Sequence, residues 1–311
     1  MSAPEPGADS SAEPRPLLVV HGVATRDRDA FVAEVEQLGD ALGPGVRPIP
    51  CYWGDLTPDP AEFDRILPYL GWTDAGGDVE ADDPSAGEAL RAALARRDPA
   101  PLLAVIGDEW RRRTESSRHR LLAGLYRLVR TQYLRASVEF TGDLLRYQRD
   151  PGAVHERLWE VLIEEAPGHG LAGRPVDVLT HSLGGSIAVD AALSGHPRLH
   201  IRHLITCATQ VPFFALLDAA PGRIAEPLAL PPTVGAWTNL FVALDPWAYL
   251  AGPVFRLHDG SAPVDLEVHG DAGDNRVLTH SAHHYWSHPT SLAAMRRALG
   301  IVDPGPESST P

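Results

Sequence analysis

Three residue types that acyl-transfer chemistry requires occur in this chain in a usable order: a serine on a tight turn, an aspartate at a strand end, and a group of histidines. The serine is Ser182, within VDVLTHSLGGSIAVD from Val176 to Asp190. Val176, Val178 and Leu179 read as a buried strand, and Ile187, Ala188, Val189, Ala191 and Ala192 as a closely packed helix. Between them, Thr180-His181-Ser182-Leu183-Gly184-Gly185 leaves little room to turn. The hydroxyl is therefore held out from the sheet edge with a helix N-terminus beneath it. A serine hydroxyl is a weak nucleophile at neutral pH and needs an imidazole to take its proton. A buried carboxylate must in turn orient that imidazole and stabilise its charged form.

Asp245 is the best-placed carboxylate, because it follows the strand-like run Asn239–Leu244 and Pro246 stops the strand at once. Four other aspartates are rivals. Asp190 lies inside the helix after the serine and Asp265 inside a later strand, while Asp218 precedes a strand and Asp259 sits in a turn. The histidines are His280, His283, His284 and His288 in THSAHHYWSHP. All four follow the last strand and precede the terminal helix, so position alone leaves the choice open.

The elements that must position these groups alternate between strand and helix patterns. Strands are expected at 16–20, 46–53, 176–179, 203–207, 239–244 and 264–268, with a terminal helix over 291–299. From about 85 to 168 the pattern is helical and Arg-rich, with breaks at Pro99, Pro101 and Pro151. Alternation of this kind implies an α/β fold with a mostly parallel central sheet and helices on both faces. Parallel strands present their chemistry at their carboxyl ends. Here those ends carry His21-Gly22, Ser182 and Asp245, three candidate positions on one rim.

With "VVHG" early, "THSLGG" central, a strand followed by Asp-Pro, and a His-rich stretch near the end, the chain resembles the α/β-hydrolase superfamily, in particular bacterial lipase/esterase-like serine hydrolases. The resemblance spans roughly residues 15–300, with the helical middle matching as an insertion. It implies a nucleophile elbow at Ser182, although Thr180 stands where the usual pattern has glycine. It also implies a triad in the chain order Ser182, Asp245, histidine. Matching "AHHYW" to a His-x-Tyr-Trp pattern favours His283, with His280 and His284 as alternates. The oxyanion of the tetrahedral intermediate needs backbone N–H donors, each typically worth about 3 kcal/mol. Leu183, opening the helix after the nucleophile, would supply one, and the loop begun by His21-Gly22, through Gly22 or Val23, the other. The implied activity is hydrolysis of a small-molecule ester or related acyl bond, as a carboxylic ester hydrolase of lipase-like type. A catalytically silent fold acting as a binding module, or an acyltransferase using the same triad, is the alternative.

Bulk properties bound the rest. A formal net charge of −14 over 311 residues argues against nucleic acid as a partner. MSAPEPGADSSAEPRP at the start and VDPGPESSTP at the end read as polar tails, giving a domain over 16–302 between disordered segments 1–15 and 303–311. The first of these has no apolar core of a signal peptide, and no apolar run reaches the length of a membrane span, so a cytoplasmic protein without integral membrane association is expected. Cys51 and Cys207 have neither metal nor redox spacing. Histidines recur four apart at His196/His200, His280/His284 and His284/His288 without an HExxH motif, and no metal or organic cofactor is expected. The segment 108–135 carries leucines near helical spacing and is expected to pack over the sheet or the active site. Tyr52-Trp53-Gly54-Asp55 is a candidate pocket wall at the end of the second strand.

Overall fold

The computed structural model describes residues 13–57, 138–217, 228–268 and 280–301. The chain divides into two compact units, one formed by residues 1–57 with 144–311 and the other by 58–143. Almost all of the second unit, hence most of the expected helical insertion and all of the segment 108–135, lies outside the described residues. So do Asp218 and the greater part of both tails.

In the first unit the strands are β1 (Arg15–Val20), β2 (Val46–Cys51), β3 (Val176–His181), β4 (Ile201–Cys207), β5 (Val234–Phe241) and β6 (Val264–Glu267). They form one sheet in the order β2-β1-β3-β4-β5-β6, with every neighbouring pair parallel. The helices include α1 (Arg28–Leu42), α2 (Pro151–Glu165), α3 (Leu183–Leu193), α4 (Val211–Leu216), α5 (Ala282–Ser287) and α6 (Pro289–Ala298). Both faces of the sheet are covered, as alternation along β1 shows. Leu18 and Val20 join a core with Leu158 and Leu162 of α2 and Ile187 of α3. Leu17 and Val19 join a second core with Phe31 and Leu38 of α1 and Met295 of α6. A parallel sheet buried on both sides requires such continuous apolar runs.

The elements depart from the sequence expectations in several places, among them α1 and β5. α1 is a helix with a local start signal: Asp27 caps it by accepting from the Ala30 N–H at 2.9 Å. β5 begins at Val234, earlier than 239, because Gly235 fits where any Cβ would lie 2.7 Å from the Arg202 carbonyl oxygen. It ends at Phe241, leaving residues 242–244 as a lead into Asp245 rather than as strand.

The sheet reverses its winding direction between β1 and β3, which are adjacent in space while their onward connections diverge to opposite sides. At such a switch point a crevice opens at the carboxyl ends of the two strands. The three non-glycine residues with positive φ among the described residues all sit on this rim: Ala24 after β1 (58°), Ser182 after β3 (54°) and Ala208 after β4 (52°). Backbone strain of this kind costs on the order of 1–3 kcal/mol per residue and persists only where surroundings impose it.

Three of the four rival aspartates lie among the described residues, and each has a structural task. Asp190 accepts from the Tyr147 hydroxyl at 2.8 Å and from Ser194, with His155 Nε2 at 3.3 Å, joining α3 to α2. Asp259 closes a turn on Ser261. Asp265 accepts from Asn239 Nδ2 at 2.7 Å and from the backbone N–H groups of Ala251 and Gly252, each at 2.9 Å. That carboxylate ties the segment following Asp245 to β5 and β6. Replacing it, Asp265→Ala, strands three donors and should lower unfolding stability by about 2–3 kcal/mol. The denaturant midpoint measures it, and an unchanged midpoint would show that the segment is held by other contacts.

Candidate active site

Ser182 is the pivot between β3 and α3, with φ 54° and ψ −127°. Its N–H reaches across to the Cys207 carbonyl at 2.9 Å, and its own carbonyl accepts from the Gly185 N–H at 3.0 Å. The turn is tight because β1 presses against it. A Cβ at Gly184 would stand 2.5 Å from the Val20 carbonyl oxygen, and one at Gly22 would stand 2.6 Å from Ser182 Cβ. Thr180 is fully buried in β3, and its hydroxyl oxygen lies 3.4 Å from where a Cβ at Gly185 would stand.

Asp245 and a histidine converge on this serine, and the histidine is His280. Its Nε2 lies 2.8 Å from Ser182 Oγ, and its Nδ1 lies 3.1 and 3.0 Å from the two oxygens of Asp245. A carboxylate only accepts, so Nδ1 carries the proton and Nε2 is left as acceptor for the serine hydroxyl. Asp245 is buried and accepts further hydrogen bonds from the Trp247 N–H at 2.9 Å and the Tyr285 hydroxyl at 3.0 Å. The same Tyr285 oxygen accepts from the Val242 N–H at 3.0 Å. Burial, with the adjacent Asp245 charge, raises the Tyr285 pKa strongly, so its hydroxyl stays protonated and remains a donor.

The preference for His283 is corrected by this geometry. His283 is in α5, largely exposed, with Glu34 Oε1 of α1 3.8 Å away. Tyr285 points at Asp245, and a residue two positions earlier in a helix is turned roughly 200° around the axis. His280 instead precedes the helix, where Ser281 is extended and the chain can approach the rim. His284 is buried against Tyr285 and His288, and His288 caps α6 by accepting from the Thr290 N–H at 3.2 Å.

The loop after β1 is locked by His21. The Trp53 N–H donates to its Nε2 at 3.0 Å, which places the proton on Nδ1, and Nδ1 donates to the Gly22 carbonyl at 2.7 Å. Trp53 Nε1 donates to the His21 carbonyl at 3.0 Å, and the two rings stack with centroids 4.9 Å apart. In a planar trans peptide the C=O and the next N–H point oppositely, so the Val23 N–H faces away from His21. Of the expected pocket wall, Trp53 thus has a definite task. Asp55 pairs with Arg157 at 2.9 Å, and Tyr52 donates to the Arg26 carbonyl. Leu183 is fully buried and opens α3 directly behind the serine.

Two residues at the site had no distinguishing sequence signal. His181 is buried with its ring 4.9 Å from that of His280, and its Nε2 has no hydrogen-bond partner among the described residues. Gln210, three residues past β4, brings Oε1 to 3.4 Å from Ser182 Oγ. Only its place at a strand's carboxyl end could have pointed to it. Among the described residues no group of three His, Cys, Asp or Glu side chains is arranged to hold a metal ion, and no helix is long and apolar enough to cross a membrane. Burial pushes the Cys51 thiol up to about 12 and that of Cys207 higher still, so neither is a thiolate at neutral pH.

No protein-family model matches the chain, and no curated protein sequence matches it. The candidate site therefore stands on its geometry.

Burial lowers the His21 pKa from 6.5 to about 4, with the Gly22 carbonyl opposing and Arg26 adding to the effect. His181 is lowered well below its ordinary value by burial, with His280 and His21 adding to it. Both are neutral in the folded state and protonate more readily when unfolded. The stability they contribute is therefore complete above pH 6.5 and is lost as pH falls toward 4. For His21 a lowering of this size corresponds to about 3 kcal/mol. Denaturant unfolding of the wild type should accordingly weaken steeply from pH 7 to 4, and His21→Asn should flatten that slope. A slope unchanged by the substitution would remove His21 as its source.

Proposed function

We propose that the protein is an α/β-hydrolase-type serine hydrolase that cleaves an ester or related acyl bond through a covalent Ser182 acyl-enzyme. One observation carries the reading: the His280 imidazole bridges Ser182 Oγ and the Asp245 carboxylate with each nitrogen in hydrogen-bond contact. Support comes from the parallel sheet with its reversal of winding beside Ser182, from the positive φ of that serine, and from the chain order serine, aspartate, histidine.

The steps follow from the proton positions. Ser182 Oγ attacks the acyl carbon while its proton passes to His280 Nε2, and the carbonyl π electrons move onto oxygen. As the tetrahedral intermediate collapses, the bond from carbon to the leaving group breaks, and the leaving group takes the proton from Nε2. Water then repeats the sequence. Its proton goes to Nε2, its oxygen bonds to the acyl carbon, and Oγ departs with the proton, restoring the serine and releasing the acid. Asp245 holds the Nδ1–H tautomer and balances the imidazolium charge. The Leu183 and Val23 N–H groups are the donors for the oxyanion, with His21 holding the second by fixing the Gly22 carbonyl.

Two measurements test this. A fluorophosphonate probe should label the wild type and fail to label Ser182→Ala, which would also distinguish an enzyme from a silent binding module. On a short-chain aryl ester, Ser182→Ala and His280→Ala should each lose about four orders of magnitude in kcat, whereas His283→Ala should retain activity within about two-fold. Equal losses for the two histidine variants would contradict the assignment of His280 as the base, and unchanged turnover in Ser182→Ala would end the hydrolase reading.

A further inference from the structure

Gln210 contributes a group that the triad mechanism does not use. Its side chain is almost fully buried, and both amide hydrogens are spent. Nε2 donates to the Ala208 carbonyl at 2.8 Å and to the Trp247 carbonyl at 3.0 Å. Because both partners are pure acceptors, only the nitrogen can face them, and Oε1 is turned toward Ser182. The framework behind this amide is itself fixed. Ala208 takes a positive φ, its N–H donates to the Leu240 carbonyl at 3.0 Å, and the Thr209 carbonyl accepts from the Tyr249 N–H at 3.2 Å.

Oε1 is thus a preset acceptor 3.4 Å from the nucleophile, and the serine is a poor partner for it. The single Ser182 proton is directed to His280 Nε2 at the shorter 2.8 Å. In an acyl-enzyme the mismatch deepens, because Oγ then carries no hydrogen at all and two oxygens face each other in a buried setting. A buried acceptor without a donor is costly, and a site that holds one discriminates against substrates that cannot supply the donor.

We infer that Gln210 is a specificity-determining residue, and that the substrate presents a hydrogen-bond donor within two bonds of its scissile carbonyl carbon. This rests on the Ser182 acyl-enzyme reading and narrows its substrate class. Two chemical sources supply such a donor. One is the N–H of a scissile secondary amide, which meets Oε1 only until the amine departs in acylation. The other is a hydroxyl on the carbon next to the carbonyl, which meets it in the acyl-enzyme as well. A plain fatty-acyl ester of a simple alcohol has neither.

The test compares donor-bearing substrates with their methylated counterparts on the full chain. One pair is a nitrophenyl 2-hydroxyacyl ester and its 2-methoxyacyl analogue, and the other is an acyl nitroanilide and its N-methyl analogue. In the wild type, methylation should lower kcat/KM on the order of ten- to a hundred-fold in one pair, and that pair identifies the source of the donor. In Gln210→Met, which keeps length without the acceptor, the penalty in that pair should largely vanish. A penalty of the same size in both enzymes is steric and overturns the inference. So does a uniform slowing of every substrate by Gln210→Met with accumulation of acyl-enzyme, which would assign Oε1 to the hydrolytic water instead. Should the variant fail to fold, the wild type decides alone, since equal turnover within both pairs overturns the inference. Labelling of Ser182 without turnover of either donor-bearing substrate overturns this inference only. Absence of both labelling and turnover removes the nucleophile reading as well.

Discussion

The close approach of β1 to the turn between β3 and α3 is the constraint on which the rest of this site depends. With glycine at 184 and at 22, the carbonyl ends of β1 and the serine-bearing turn lie in backbone contact, and no side chain separates them. That contact holds Ser182 in a conformation that an L-residue otherwise avoids, and sets the His21-Gly22 loop beside the hydroxyl. Interactions elsewhere reinforce the arrangement: β4 receives the Ser182 N–H, and α1 and α2 close the two faces of the sheet beneath it. The strain at Ser182 is thus maintained by packing around it.

Hydrogen-bond directionality then determines what each buried polar side chain offers. Asp245 can only accept, so His280 keeps its proton on Nδ1 and turns a bare nitrogen toward the serine. The Trp53 N–H can only donate, so His21 has the same tautomer and grips the Gly22 carbonyl. Two carbonyl oxygens fix Gln210 in the one orientation that exposes its oxygen. In each case a partner outside the candidate site, several of them backbone groups, selects the state of a side chain inside it. Desolvation keeps His21 and His181 neutral, which prevents unpaired positive charge from accumulating beside His280.

Much of this was legible in the residues themselves. Apolar runs broken by turn residues mark six parallel strands, because a sheet buried on both faces needs continuous hydrophobicity. A serine between a strand and a small-residue helix, with two glycines behind it, marks the turn, since only small residues fit where backbones touch. Asp245 is recognisable by its strand end and Pro246. Less was legible where the cue was ambiguous. Gly235 looks like a break in a strand until the carbonyl of Arg202 is seen pressed against it. Asp265 and Asp190 look like any aspartates until their donors are counted.

The choice among His280, His283 and His284 was beyond the sequence, because it depends on where α5 begins and which face it turns to the rim. The Tyr285 hydroxyl, caught between Asp245 and the Val242 N–H, fixes both, and it directs His283 to the opposite side. Gln210 belongs to the same class. Nothing in its neighbours along the chain distinguishes it, and its orientation comes from carbonyls that the β4–β5 pairing brings together. Local residue patterns therefore determined the sheet and the turn that carries Ser182, since those follow from periodicity and size. Which histidine meets the serine, and which acceptor stands beside it, were decided by the tertiary structure, since direction in space is a property of packed elements and not of spacing along the chain.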